Sequence, residues 1–136
     1  MGKNDTLLQA FEWYLPDDSQ HWNKLKVLAP SFSNLGVTVV WLPPAYKGAG
    51  GVHDVGYGVY DLYDLGEFDQ KGTISTKYGT KQEYLDAISA LQKENISVLA
   101  DIVLNQKMGG DTEETIDVIK SDPNNRNEEI SGDYQI

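Results

Sequence analysis

The sequence contains no cysteine, which excludes a disulfide framework, a thiolate metal site and a cysteine nucleophile. It has only two histidines, His21 and His53, and as isolated residues they are expected at the surface or in hydrogen bonds, not as metal ligands. Basic side chains are scarce, because 11 lysines and arginines face 21 aspartates and glutamates, for a net charge of −10. Such a charge repels phosphate backbones and anionic lipid, so neither nucleic acid nor a membrane is an expected partner.

Long apolar runs are also missing. No stretch approaches the 18 or so consecutive apolar residues of a membrane-spanning helix, and residues 1–6 lack the apolar segment of an export signal. We therefore expect a cytoplasmic protein as the sequence stands, with a secreted parent left open. The 136 residues suffice for one domain, whereas a complete eight-stranded βα barrel needs about 250 residues.

Three apolar segments predict strands. They cover residues 7–13, 37–42 and 97–104; the second is apolar enough to be buried on both faces, and the third is also expected to be buried. Because helical patterns lie between them, the order is β-α-β-α-β. This order predicts an α/β fold with parallel strands and right-handed crossovers.

Apolar residues at three- and four-residue spacing predict two helices. The first is expected to start at Ser19, as its N-cap, and to end at Gly36. Pro30 lies inside it and removes one backbone hydrogen bond, so a kink or two short helices are expected. The second should begin at Thr80, where Thr80 and Glu83 form a capping box.

Ligands of parallel α/β folds meet the C-terminal ends of the strands and the loops that follow. The segment 54–66 belongs to such a loop and combines glycines, tyrosines and aspartates. Its rings suit sugar binding, but a packed loop with a tyrosine core fits equally well. Asp101, inside an apolar strand, is expected to organise neighbouring strands by hydrogen bonding more than to bind a ligand, while Asn105 offers an amide oxygen suited to calcium.

A dinucleotide site is disfavoured. The segment 48–53 lacks the third glycine of the dinucleotide fingerprint and lies in a long loop, not at a strand-to-helix turn. The Walker A and Gly-x-Ser-x-Gly motifs are both absent from the sequence.

Five ordered segments do carry a family resemblance. In order and spacing the chain resembles the bacterial liquefying α-amylases over residues 8–14, 40–48, 56–68, 77–80 and 101–105. The resemblance implies a partial (β/α)8 TIM barrel, with residues 1–106 as the N-terminal part of the catalytic barrel. Residues 107–136 would then begin the excursion, similar to a B domain, that follows the third strand.

The resemblance also implies an activity: calcium-dependent, retaining hydrolysis of internal α-1,4-glucosidic bonds in starch-type glucans. Such enzymes use two carboxylates, one as nucleophile and one as acid and base. Both are expected beyond residue 136, so no catalytic residue is assigned and the chain alone is expected to be inactive. The alternative is a non-catalytic glucan-binding piece that uses exposed aromatic residues.

Individual roles follow from the same resemblance. Tyr57 resembles the ring that stacks on the sugar at the cleavage subsite, and Gln9 and Trp13 resemble wall residues of the cleft. Asp101 resembles an aspartate that shapes the active-site region, and Asn105 resembles one calcium ligand of a site left incomplete here.

Position 106 departs from the family pattern, which usually has a substrate-binding histidine where this chain has Gln106. Glutamine can donate to a sugar hydroxyl but carries no charge. The expected partner is an α-glucan or maltooligosaccharide. Since the first and third strands would each lack one neighbour, self-association or dependence on the rest of the barrel is also expected.

Overall fold

The structure is a computed structural model that describes residues 4–130 and 134–135; parts of the predicted barrel segment and excursion, residues 1–3, 131–133 and 136, lie outside the described residues. Its elements in chain order are β1 (Leu7–Gln9), α1 (His21–Asn34), β2 (Val39–Leu42), β3 (Lys47–Gly48), β4 (Val59–Asp61), α2 (Lys81–Lys93), β5 (Ser97–Ala100), β6 (Asp117–Val118) and β7 (Tyr134–Gln135). No helix among the described residues is both long and apolar enough to cross a bilayer.

Strands β1, β2 and β5 form one parallel sheet with β2 in the centre. This confirms the predicted parallel β-α-β-α-β order. Strand β5 ends at Ala100, so Asp101 lies just after the strand and not inside it as predicted. The prediction that this strand is buried is also wrong, because Leu99 is 49% exposed. The helices cover only the face of the sheet that carries Val40 and Val98.

The core lies between this face of the sheet and the two helices. Helix α1 buries Trp22, Leu25 and Ala29, while Ala87 and Leu91 of α2 belong to the same cluster. Large apolar side chains contribute roughly 1.5–3 kcal/mol each when fully buried. This cluster therefore holds both crossover helices against the sheet.

Helix α1 continues through Pro30 as a single helix, so its division into two helices is not observed. Pro30 is exposed, and its missing amide bond lies on the solvent side of a helix whose other side is anchored by the core. The predicted N-cap is wrong. Gln20 is the N-cap residue, while Ser19 has a φ of 53° and donates its hydroxyl to the Thr76 carbonyl.

Helix α2 starts as predicted. Thr80 is its N-cap and forms the capping box with Glu83. The Thr80 amide donates to Glu83 Oε2 at 2.8 Å, and the Glu83 amide donates to Thr80 Oγ1 at 3.4 Å. Two amides that the helix leaves unpaired at its start are thereby satisfied.

The long loop between β2 and α2 is ordered around a buried lysine. Strands β3 and β4 pair antiparallel within it. Lys47 Nζ donates to the carbonyls of Thr73 and Ile74, each at 2.6 Å, and to that of Phe68 at 3.1 Å. Asp64 lies 3.4 Å from the same nitrogen, and both side chains are fully buried. One charge thus gathers three separate parts of the loop.

Candidate functional site

A cavity of about 390 Å³ opens at the C-terminal ends of β1 and β2. Aromatic side chains dominate its wall, with one amide and one carboxylate: it is lined by Gln9, Phe11, Glu12, Trp13, Trp41, Val55, Tyr57 and Tyr78. A concave, mostly apolar site with a few polar groups is typical of a small-molecule site. The cavity also lies at the C-terminal ends of parallel strands, which is where such folds bind ligands.

Two rings in this wall lie parallel. The Trp13 and Tyr57 ring planes differ by 5°, with their centroids 6.3 Å apart. Trp13 is 62% exposed, so its indole face is available to a ligand. Phe11 meets Trp41 edge to face at 5.3 Å. The wall therefore contains one stacked and one edge-to-face aromatic pair.

The hydroxyl of Tyr57 is fixed by Asp101, to which it donates a hydrogen bond of 2.8 Å. Burial, together with this hydrogen bond to a carboxylate and the nearby charge, raises the pKa of Tyr57 to about 12. The phenol is therefore neutral at physiological pH and remains a hydrogen-bond donor. Asp101 thus fixes the position of the Tyr57 hydroxyl, while its role in the site stays a prediction.

The backbone that carries Tyr57 is organised by Asp54. Its carboxylate accepts hydrogen bonds from the amides of Gly50, Gly56 and Gly58 at 3.1, 2.8 and 3.2 Å. A Cβ atom at Gly48 or Gly58 would collide with this carboxylate, so glycine is required at both positions. Sequence composition indicated an unusual backbone here but did not reveal this central carboxylate.

Gln106 is not among the residues that line the cavity. Its side-chain Nε2 donates to the Tyr57 carbonyl oxygen at 2.6 Å. Of the predicted site residues, the structure therefore places Gln9, Trp13 and Tyr57 in one wall. Asp101 and Gln106 do not line the cavity but form hydrogen bonds with Tyr57.

A calcium site is not complete in the described part of the chain. Asn105 is exposed, and no group of three or more His, Asp or Glu residues there could hold a metal ion. Calcium takes six to eight oxygen ligands, so one amide oxygen does not fit the ion by itself. The two histidines lie elsewhere: His53 contacts Asp17 at 2.7 Å, and His21 is buried beside Trp22 and Tyr78.

Five of the eight wall residues were not singled out from the sequence: Phe11, Glu12, Trp41, Val55 and Tyr78. Phe11 and Trp41 lie within predicted strands near their C-terminal ends, and the rule that ligands meet strand ends could have included them. Tyr78 is different, because it reaches the cavity from the end of the long loop. Its hydroxyl donates to the Val55 carbonyl at 2.8 Å, a contact that sequence spacing does not indicate.

Comparison with known proteins identifies the family. Residues 24–134 match the family model described as alpha amylase, catalytic domain. The chain belongs to the α-amylase family. This α-amylase family chain is 51% identical over 135 residues to a glucan 1,4-alpha-maltohexaosidase of Bacillus sp. (strain 707), covering 99% of this chain and 26% of that protein.

Two further relatives are named α-amylases. Identity is 56% over 133 residues with an alpha-amylase of Geobacillus stearothermophilus, covering 98% of this chain and 24% of the relative. It is 52% over 124 residues with the cytoplasmic alpha-amylase of Escherichia coli (strain K12), covering 91% and 25%. The chain thus spans about a quarter of the length of the curated relatives that it matches.

Solved structures agree on the fold. A truncated alternansucrase from Leuconostoc mesenteroides NRRL B-1355 superposes with a TM-score of 0.77 at 24% identity, covering 97% of this chain and 13% of that one. An alternansucrase in complex with isomaltononaose gives 0.71 at 27% identity, covering 82% and 10%. Together with the family match and the parallel sheet, this makes the chain a partial (β/α)8 barrel, as predicted. The division at residue 106 stays a prediction.

Proposed function

We propose that the protein to which this chain belongs hydrolyses internal α-1,4-glucosidic bonds of starch-type glucans with retention of configuration. The chain would supply one wall of the substrate cleft. The observation that carries the proposal is the parallel pair Trp13 and Tyr57 in a cavity at the ends of β1 and β2, in a chain of the α-amylase family.

The chemistry of the wall suits a glucan. Flat indole and phenol faces cover the apolar faces of pyranose rings, and polar groups at the edge exchange hydrogen bonds with hydroxyls. Gln9 donates its Nε2 to the Phe11 carbonyl at 3.0 Å, which orients the amide in the wall. Its oxygen can then accept from a sugar hydroxyl. Trp13, Tyr57 and Gln9 are the substrate-binding residues of the proposal.

Bond cleavage itself needs a nucleophilic carboxylate and an acid–base carboxylate. By the family resemblance neither corresponds to a position within these 136 residues. We therefore expect the 136-residue chain alone to release no reducing ends from starch, while the protein that contains the rest of the barrel does. Release by the homogeneous 136-residue chain would contradict this assignment.

Calcium is the metal that the family resemblance suggests. Asn105 would contribute one amide oxygen, and the other ligands would come from outside the described residues, because one oxygen is far from the six to eight that calcium takes. We propose a cytoplasmic location for this protein, because the relative from Escherichia coli is named a cytoplasmic alpha-amylase.

A non-catalytic glucan-binding role is the alternative, and the relatives do not favour it, since those described above are named as a maltohexaosidase and as α-amylases.

The edges of the parallel sheet are expected to bind another part of the protein or another copy of it. Strands β1 and β5 each pair only with β2 among the described strands, so each has an unpaired edge. We propose that these edges are covered by the rest of the barrel or, in its absence, by another copy, which sedimentation would reveal.

Hydrolysis kinetics test the proposed activity. In the protein that contains the rest of the barrel, we expect Tyr57→Ala to lower kcat/KM on soluble starch by roughly 10- to 100-fold. Each 1.36 kcal/mol of lost transition-state binding is tenfold, and a ring buried against the sugar contributes about one or two such steps. Tyr63→Ala is the matched control. Tyr63 is a tyrosine of the same loop that is 86% exposed and does not line the cavity. Equal kinetics for the two variants would contradict the proposed role of the cavity.

A further inference from the structure

Tyr57 is held at three points. Its ring lies parallel to Trp13, its hydroxyl donates to Asp101, and its carbonyl oxygen accepts from Gln106 Nε2 at 2.6 Å. The first two contacts involve the part of the residue that faces the cavity. The third holds the backbone and comes from a residue outside the cavity wall.

Gln106 arrives at this carbonyl because the segment 106–111 lies alongside residues 57–60. Two residues beyond Gln106, the Met108 amide donates to the Val59 carbonyl at 2.7 Å. The contacts at 106 and 108 thus meet carbonyls at 57 and 59, in the two-residue spacing of extended chains. The side-chain amide of Gln106 donates the hydrogen bond that a backbone amide would donate in a regular β-ladder.

A cluster of Tyr60, Lys71 and Asp111 fixes the far end of this segment. Lys71 Nζ lies 4.0 Å from the centroid of the Tyr60 ring and donates to the Gly109 carbonyl at 2.6 Å and to Asp111 at 3.0 Å. The Tyr60 hydroxyl donates to the other Asp111 oxygen at 2.6 Å. Gly109 has a φ of 68°, and a Cβ atom there would lie 2.6 Å from the Ala49 Cβ. These contacts fix the path of the segment and hold Gln106 beside the Tyr57 carbonyl.

We propose that Gln106 is a positioning residue that sets the Tyr57 ring in the cavity by holding the Tyr57 carbonyl, and that it does not act as a sugar ligand itself. A neutral amide suits this role because it donates to a carbonyl at any pH. The proposal deepens the proposed function, and the part of its test that uses sugar rests on that function.

Hydrogen exchange tests the positioning without any sugar. Two variants remove the hydrogen bond: Gln106→Ala, and the nearly isosteric Gln106→Glu, whose carboxylate has no N–H to donate. In both, the Gly56 and Gly58 amides should exchange roughly three to ten times faster, the range expected for one lost hydrogen bond. The Gly66 and Glu67 amides, which donate to Asp64, are the internal control and should not change. Unchanged exchange at Gly56 and Gly58 in both variants would overturn the proposal.

A double-mutant cycle then separates positioning from sugar contact. With maltohexaose as the probe, Gln106→Ala should weaken binding roughly three- to tenfold in the wild-type background and hardly at all in Tyr57→Ala, because its effect passes through that ring. An equal loss in both backgrounds would mean direct sugar contact and would overturn the proposal. Lys107→Ala, a change at the exposed neighbour, should alter neither measurement.

Failure of the two proposals is distinguishable. If the unmodified protein binds no maltohexaose, the proposed function fails, while hydrogen exchange still decides whether Gln106 holds the loop. If sugar binds but Gln106→Ala is without effect on exchange, the function stands and the positioning role is lost. Gln106 is exposed, and Gln106→Glu preserves its shape, so an unfolded variant is not expected.

Discussion

Lys47 and Asp64 show how one residue pair can determine the path of a functional loop. Both side chains are fully buried, and the lysine is also bonded to three backbone carbonyls. Burial raises the pKa of Asp64, but hydrogen bonds from the amides of Glu67, Gly66 and Phe68 and the Lys47 charge outweigh it, so the pKa lies below its usual value. The carboxylate is therefore charged at neutral pH and depends on its partners.

Removing one partner of this pair should be costly. Lys47→Met is expected to lower the free energy of unfolding by about 3–5 kcal/mol, because it leaves a buried carboxylate without its counter-charge. Chemical denaturation followed by far-UV circular dichroism measures the difference. Lys24→Met is the control, since Lys24 and Asp18 form an exposed ion pair of 2.7 Å, a class that contributes little to stability because solvent screens it. Similar losses in the two variants would show that burial of the pair is unimportant.

At this scale the sequence predicted some of the site and not the rest. The family resemblance assigned Gln9, Trp13 and Tyr57 to one substrate cleft, and the structure puts all three in one cavity wall. The contact of Gln106 with the Tyr57 carbonyl could not be predicted. It depends on the path of the segment after β5, which long-range contacts fix and no local pattern encodes.

Among the secondary-structure elements, those with local signals were predicted best. The capping box placed the start of α2 correctly, because its hydrogen bonds lie within four consecutive residues. Strand lengths were overestimated: residues 7–13 form a strand only over Leu7–Gln9, and residues 97–104 only over Ser97–Ala100. After β1 the apolar run continues past the last ladder bond because Phe11 and Trp13 line the cavity, whereas after β5 Ile102 and Leu104 are exposed.

The capping box gives a prediction for α2. Thr80→Ala should lower the free energy of unfolding by about 0.5–2 kcal/mol, the usual loss for an N-cap residue, since the Glu83 amide loses its acceptor. Ser89→Ala is the matched control on the exposed side of the same helix and should change stability by less than about 0.5 kcal/mol. Thermal and urea unfolding of both variants provide the comparison. No difference between them would contradict the role assigned to the cap.

For the whole molecule, acidic residues dominate the response to pH. Four exposed carboxyls have a pKa below their usual range because each accepts a hydrogen bond from a lysine or tyrosine side chain: Asp17, Asp18, Asp86 and Asp111. Asp64 has a lowered pKa as well. Burial lowers the pKa of His21, which is therefore held neutral in the fold.

These shifts share one sign. A group whose pKa is lower in the folded than in the unfolded chain stabilises the fold fully above its unfolded pKa, and this contribution is lost as the pH falls through its folded pKa. We expect a shallow loss of stability below about pH 6.5, from His21, and a steep loss below about pH 4, from the carboxyls. Urea unfolding at a series of pH values tests this. Stability that rises between pH 4 and pH 2 would contradict it.

The parallel sheet and its crossovers were predictable because apolar periodicity and β-branched runs are strong signals for such a fold. The degree of burial was not predictable: Leu99 lies in an apolar strand that was expected to be buried, yet it is half-exposed. An apolar pattern indicates that a residue can be buried, whereas its actual burial depends on which other elements pack against it.

The central claim is that the cavity lined by Trp13 and Tyr57 binds a glucan, and an NMR titration with maltohexaose tests it most directly. We expect saturable shifts at the Trp13 indole N–H and at the Gly56 and Gly58 amides, with little change at Tyr63. We expect no saturable shifts when cellohexaose, the β-1,4-linked isomer, replaces maltohexaose. Absence of saturable shifts at Trp13 and Gly58 with millimolar maltohexaose, or equal shifts with cellohexaose, would contradict it.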